Sequence, residues 1–418
     1  MEGQVKVRQR ARIPAGWRVV VALAVTQTVG WGVLYYAFAV FLNPLQRDLH
    51  ASAGQVTGAF TLAVLITGVA APVVGRLLDR YGGRGLMTAG SVVGTLAMLA
   101  WSRVESLPAL YAVLAAVGVA SALALYEPAF AVVVAWFDPD RRANALLAVT
   151  LMAGFASTIF MPLTALFVER YGWRTASVLL AVIFGLTTIP LHAFFVRRPA
   201  RPAGEPAGER AEESAEESGG DGGDGGGLDQ VTLRQALRGR AFWLLAVAFV
   251  AHSAAIAIMA VHLLAYLVEL GHPPTFAAAV TGLLGVLSVT GRLVATGLQR
   301  RHRAATVTAV VFAVQAVAVA VLPPVGASTV GAIACVIAFG IGFGVGTIAR
   351  PLLIAERYGA PAYATIAGAL ALPTILAKAL GPLGAAVLSQ AVGYPAVMLV
   401  VCACSIVASA LLVAYARS

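Results

Sequence analysis

The chain is predicted to be an all-α membrane protein, with twelve transmembrane helices in two pseudo-symmetric six-helix bundles. Three observations lead there: twelve long apolar runs, a one-sided distribution of arginine, and short sequence echoes between the two halves. Hydrophobic residues make up 60% of the 418 and charged residues only 11%. A soluble domain carries about 25% charged residues, so this chain has too little polar surface to face water at its size.

The apolar runs fall near 17–42, 54–78, 85–103, 107–136, 143–168, 173–196, 241–268, 275–298, 304–323, 327–354, 362–391 and 394–415. Each is close to the ~20 residues that span a bilayer as helix. The breaks hold turn signals such as Asn43-Pro44, Tyr81-Gly82-Gly83, Asp138-Pro139-Asp140 and His272-Pro273-Pro274. The basic N-terminus leads into the first run with no small-residue cleavage site after it. That run therefore reads as a first span and not as a removed signal peptide.

With the N-terminus inside, 22 of the 29 Lys and Arg residues fall on the cytoplasmic side, and four (Arg47, Arg103, Arg170 and Arg174) fall outside. This positive-inside bias makes both termini cytoplasmic. It also accounts for the net charge of +10 without nucleic acid as a partner. The basic residues are almost all Arg, a composition of GC-rich bacteria, so the expected location is a cytoplasmic (inner) membrane. Residues 199–230 break the pattern with Gly, Pro, Glu and Asp, a mixture that cannot bury enough apolar area to fold. The expected organisation is an N-terminal six-helix half at 1–196, a largely disordered cytoplasmic linker at 197–239 and a C-terminal six-helix half at 240–418.

The halves echo each other at matching helix numbers. Gly75-Arg76-Leu77 answers Gly291-Arg292-Leu293, Glu127-Pro128 answers Arg350-Pro351, and Pro162-Leu163 answers Pro382-Leu383. Such repeats point to an internal duplication.

Charges within spans are the strongest functional signal. One at the bilayer centre costs at least ~2.5–3.5 kcal/mol. Lys378, one of only two lysines, sits mid-way along run eleven; Arg292 lies in run eight and Arg350 in run ten. Glu127 is the only carboxylate deep within a span. It can pair with Arg350 as a gate, carry a proton, or serve a structural role. Three cations facing one anion favour an anionic substrate, with Arg suited to bidentate carboxylate recognition and Lys acting as a point charge. Arg292 and Arg350, nearer the cytoplasmic end, can also be structural. Helix one carries Gln27, Trp31 and Tyr35, and helix seven carries His252, His262 and Tyr266, each set on one face. These side chains line a central cavity or pack as ordinary core.

After the second span the chain reads Gly75-Arg-Leu-Leu-Asp79-Arg80-Tyr-Gly82-Gly-Arg84. This resembles, at every specified position, the G-x-x-x-D-[RK]-x-G-x-[RK] signature of the major facilitator superfamily. The resemblance implies an alternating-access transporter, monomeric and without a cofactor. Physically, Asp79 can accept hydrogen bonds from a neighbouring helix N-terminus. Gly75 permits close helix approach, and the arginines hold the loop on the cytoplasmic side. Gly30-Trp31-Gly32 and Gly291-Arg292 resemble signatures of the monocarboxylate porter family, although Ser288 stands where that family has an Asp associated with proton coupling. Arg292 and Lys378 resemble the pair that holds the anion in the oxalate–formate antiporter branch.

The function expected is secondary transport of a mono- or short dicarboxylate, by proton symport or anion exchange. The alternative is efflux of a hydrophobic drug or secondary metabolite. No nucleophile–base constellation or metal-ligand cluster suggests an enzyme. Cys335, Cys402 and Cys404 lie inside apolar runs without zinc-like spacing. Neither Lys6 nor Lys378 follows a Gly, so there is no phosphate-binding loop to hydrolyse ATP.

Overall fold

A computed structural model describes residues 15–197 and 232–418. The basic residues Lys6, Arg8, Arg10 and Arg12 and the 199–230 segment lie outside the described residues. The rest is helical, with no strand among the described residues. Ten helices there are long and apolar enough to cross a membrane. One of them, Pro139–Phe195, runs for 57 residues and is divided by non-helical backbone at Gly172 (φ 76°), which makes two crossings. Gly83–Trp101, at 19 residues, supplies one more, and the total is twelve.

The crossings are α1 (Gly16–Asp48), α2 (Ala53–Tyr81), α3 (Gly83–Trp101), α4 (Leu107–Trp136), α5 and α6 (139–171 and 173–195), α7 (Arg240–Glu269), α8 (Pro274–Gln299), α9 (Ala304–Val325), α10 (Thr329–Tyr358), α11 (Tyr363–Val392) and α12 (Tyr394–Ala416). A short helix, Leu233–Arg238, precedes α7; Thr232 and Gln235 form a reciprocal capping box at its start, and Ala236 is buried. The segment expected as linker thus ends in ordered structure, because the cap satisfies its first N–H groups.

Helices α1–α6 pack among themselves, as do α7–α12. The two groups meet through α2 against α11 and through α5 against α8 and α10. The seam is closest at the end of the bundle where α2 finishes and α11 begins, called here the near end. Both oxygens of the Asp79 carboxylate take up the free first-turn N–H groups of α11, from Ala364 (3.1 Å) and Thr365 (2.8 Å). A helix start presents unsatisfied donors and partial positive charge, so an acid is the natural cap. A Cβ on Gly75 would lie 2.2 Å from the Ala364 carbonyl oxygen, which leaves room for glycine alone. Gly82 ends α2 at φ 80°, a conformation open to glycine at little cost.

Arg80 and Arg84 flank this turn at the near end; Arg84 borders a lateral groove between α3 and Ala193. Further contacts across the seam run from Arg142 to the Ala355 carbonyl (3.5 Å) and from Arg300 to Asn144 (3.2 Å). On the opposite halves of α8 and α11, open space lies beside Gly282, Gly285 and Gly384.

Replacing Gly75 with Val is expected to prise α2 from α11 at the near end. A cysteine placed at Ala364 should then react with a water-soluble maleimide at least tenfold faster than in the parent; an unchanged rate would mean the contact does not hold that end shut.

Candidate functional site

Two helices are interrupted half-way, and the interruptions build the site. In α4 the break is at Leu125, whose backbone is extended (φ −86°, ψ −151°). Pro128 follows, and proline has no N–H for the carbonyl four residues earlier, which is that of Ala124. Gln27 of α1 replaces the missing donor: its Nε2 donates to the Ala124 carbonyl at 2.8 Å. When α4 restarts, Glu127 stands in the first turn, where negative charge is favoured. In α10 the break is at Gly344, and Arg350-Pro351 lies beyond it. The sequence echo Glu127-Pro128 and Arg350-Pro351 is therefore two broken helices facing each other.

Arg350 Nη2 forms an ion pair with Glu127 Oε1. Its Nη1 donates to Thr374 Oγ1 at 3.1 Å, and the Thr374 hydroxyl donates in turn to the Ala371 carbonyl at 2.7 Å. The Arg350 and Glu127 side chains are 16% and 20% exposed, so the pair stands at the wall of a cavity and not in a dry core. Lys378 lies one turn beyond Thr374 on α11 and lines the same cavity. It is exposed by area, and that area opens on the cavity. Among the described residues Lys378 has no hydrogen-bond or ion-pair partner. The wall thus holds two cations and one anion, and the unmatched charge is on Lys378.

The cavity has a volume of about 160 Å³ and is lined from both groups of helices. Trp31 and Tyr126 approach to 4.9 Å between ring centroids, and Tyr126 stacks on Phe130 at 4.9 Å. Opposite stand Phe249, Phe343 and His252. The His252 ring lies flat on Phe312 of α9, at 3.9 Å and 13°. Trp31, Glu127, His252, Arg350 and Lys378 are thus brought together.

The other expected site residues lie off this wall. Gln27 is fully buried on its carbonyl. Tyr35 sits edge-on to Trp31 at 5.2 Å and to Phe60. His262 bonds to the Pro382 carbonyl at 2.9 Å, and Tyr266 is buried beside Tyr394. Arg292 departs most from the expected pairing with Lys378. Its guanidinium donates to the Thr150 carbonyl across the seam (2.6 Å), to Ser288 Oγ (3.2 Å) and to the Gly344 carbonyl at the α10 break (3.4 Å). Each carbonyl also accepts a backbone N–H, Thr150 from Gly154 and Gly344 from Thr347, and its second lone pair is open to a buried arginine. Thr374, Tyr126 and Phe130 were not among the expected site residues. Thr374 could have been found from its position one turn before Lys378, and Tyr126 from its place beside Glu127-Pro128.

A family model described as "Major Facilitator Superfamily" matches residues 21–372. The chain belongs to that superfamily. Among curated proteins it is 26% identical over 196 residues to human "Monocarboxylate transporter 7", covering 45% of this chain and 36% of the relative. It is 29% identical over 169 residues to the "Oxalate:formate antiporter" of Oxalobacter formigenes (40% of this chain, 39% of the relative). It is 34% identical over 197 residues to an "MFS-type efflux pump" of Mycolicibacterium smegmatis (45% and 44%). These matches span less than half the length of each relative. Over nearly the whole chain, the fold is similar to that of a bacterial homologue of the iron transporter ferroportin in an outward-facing state. The TM-score is 0.73 at 15% identity, covering 97% of this chain and 100% of that one.

Gln27→Leu leaves the Ala124 carbonyl buried without a donor, a loss of about 1–3 kcal/mol. The expected result is a melting temperature several degrees lower in detergent; an unchanged value would mean the carbonyl finds another partner.

Proposed function

We propose that the protein is a secondary active transporter that moves a small organic anion, a mono- or short dicarboxylate, across a cytoplasmic membrane by alternating access. The observation that carries this reading is Lys378, an unmatched cation on the wall of a cavity of about 160 Å³. A cation without a counter-charge is costly away from bulk water, and an anion entering the cavity relieves that cost. By the same volume measure a water needs about 10–15 Å³, so the space suits a molecule on the order of ten heavy atoms. Lys378 takes the carboxylate, with Arg350 and Glu127 beside it as a gate. Similarity to the monocarboxylate and oxalate:formate transporters supports this substrate class.

In this reading the near end is cytoplasmic, because Arg76, Arg80, Arg84, Arg141, Arg300, Arg301 and Arg303 gather there. The moving units are 1–196 and 240–418, with 197–239 joining them, and the transporter acts as a monomer. Asp79 with the α11 N-terminus and Arg292 with the Thr150 carbonyl act as latches across the seam. Transport runs as proton symport or anion exchange.

The aromatic wall formed by Trp31, Tyr126, Phe130, Phe249 and Phe343 favours a second reading, efflux of a hydrophobic compound. In it Lys378 is a secondary contact, and the similarity to the efflux pump points the same way.

Uptake of labelled carboxylates into proteoliposomes, with and without an imposed proton gradient, separates the two. Lys378→Ala is expected to reduce carboxylate uptake at least a hundredfold while leaving the protein folded. Uptake of no acid by folded parent protein, with transport of hydrophobic dyes that survives Lys378→Ala, would overturn the anion reading.

A further inference from the structure

The charge and the surface of the cavity wall together select a shape of substrate. Two cations and one anion line it, and they are not equivalent. Arg350 already has both of its terminal nitrogens engaged, one by Glu127 and one by Thr374. Only Lys378 lacks a partner among the described residues. Among the Lys, Arg, Asp and Glu side chains of the wall, the unmatched charge is a single positive one. A monoanion cancels it. A second carboxylate would have to displace Glu127 from Arg350, or lie against a wall that offers no further cation.

What that wall offers instead is apolar and flat. Tyr126 and Phe130 are stacked nearly parallel, at 13°, with Trp31 tilted over Tyr126. Phe249, Phe343 and Ile375 add further apolar lining. The threonine hydroxyls of the lining are committed to protein partners: Thr374 to the Ala371 carbonyl and Thr347 to the Gly344 carbonyl at 2.7 Å each. Thr67 is likewise held by the Ala63 and Gly118 carbonyls. Trp31 Nε1, Ser121 and Ser253 on the same wall have no side-chain hydrogen-bond partner among the described residues, so single hydrogen bonds are on offer beside the rings, but no further cation is, and an aromatic ring gains stacking and edge contacts on a wall already built of rings.

We propose that the substrate is a monocarboxylate with a bulky apolar or aromatic tail, of the arylcarboxylate kind, held with its carboxylate on Lys378 and its ring among Trp31, Tyr126 and Phe130. This rests on the anion-transport reading and narrows it. Oxalate-like and succinate-like dianions, which carry charge at both ends, are excluded by the same wall.

Binding to the purified full-length protein at pH 7.5 tests it, measured by calorimetry with benzoate, phenylacetate, acetate, oxalate and succinate, and with benzamide as the uncharged control. Benzoate or phenylacetate is expected to bind at least tenfold tighter than acetate and about a hundredfold tighter than either dianion, in line with what apolar fit and unpaired polar groups contribute to discrimination. Benzamide should bind at least tenfold more weakly than benzoate. Phe130→Ala should abolish the preference for phenylacetate over acetate, and Phe130→Leu should restore part of it. Equal or tighter binding of succinate or oxalate would overturn the proposal while leaving anion transport standing. Binding of benzamide as tight as that of benzoate would remove both, because the cation would then contribute nothing.

Discussion

The ion pair between Glu127 and Arg350 is the interaction around which the rest is arranged. It joins α4 to α10, and so one group of six helices to the other, at the wall of a cavity lined from both groups. A pair so placed needs both partners, since removing one leaves an uncompensated charge within the bundle. Both helices are broken, α4 at Leu125 beside Pro128 and α10 at Gly344. Side chains bond the carbonyls at those breaks, Gln27 that of Ala124, and Thr347 and Arg292 that of Gly344. The site is therefore irregular backbone that lines a cavity, the setting in which a membrane protein tolerates it.

Once Arg350 is occupied by Glu127, Lys378 is left with the unmatched charge. The same residues in another arrangement would give a different protein. Had Lys378 taken Glu127, Arg350 would be the free cation, with a fork that suits two-oxygen recognition. As it stands, the free group is a point charge at the rim of a ring-lined space. At the near end, Asp79 and Gly75 close α2 onto α11 through backbone contact. That closure depends on a helix N-terminus and not on any group in the cavity, so the contact at the near end and the site are chemically separate.

Much of the architecture was legible in the sequence because it rests on local composition. Twelve apolar runs became twelve crossings, and the Gly75–Arg84 motif gave both the tight approach and the acid on a helix start. Repeat spacing placed Glu127 opposite Arg350, since equivalent positions in duplicated halves fall at equivalent depths. Side-chain partners were less legible. Gln27, His262 and Arg292 share faces with cavity-directed residues, but each is drawn aside by a backbone carbonyl that no periodicity reveals: Ala124, Pro382 and Thr150. The capped turn at Thr232–Gln235 is hidden for the opposite reason. It lies at the edge of a stretch whose overall composition is that of an unfolded chain.

A double-mutant cycle on Glu127→Gln and Arg350→Gln, read by thermal unfolding of the purified protein, tests the central pair most directly. The account predicts that each single variant melts well below the parent, that the double variant is more stable than either single one, and that the coupling is about 1–3 kcal/mol. Additive losses would contradict it, because the two charges would then be held by other partners and Lys378 would not be the unmatched cation of the site.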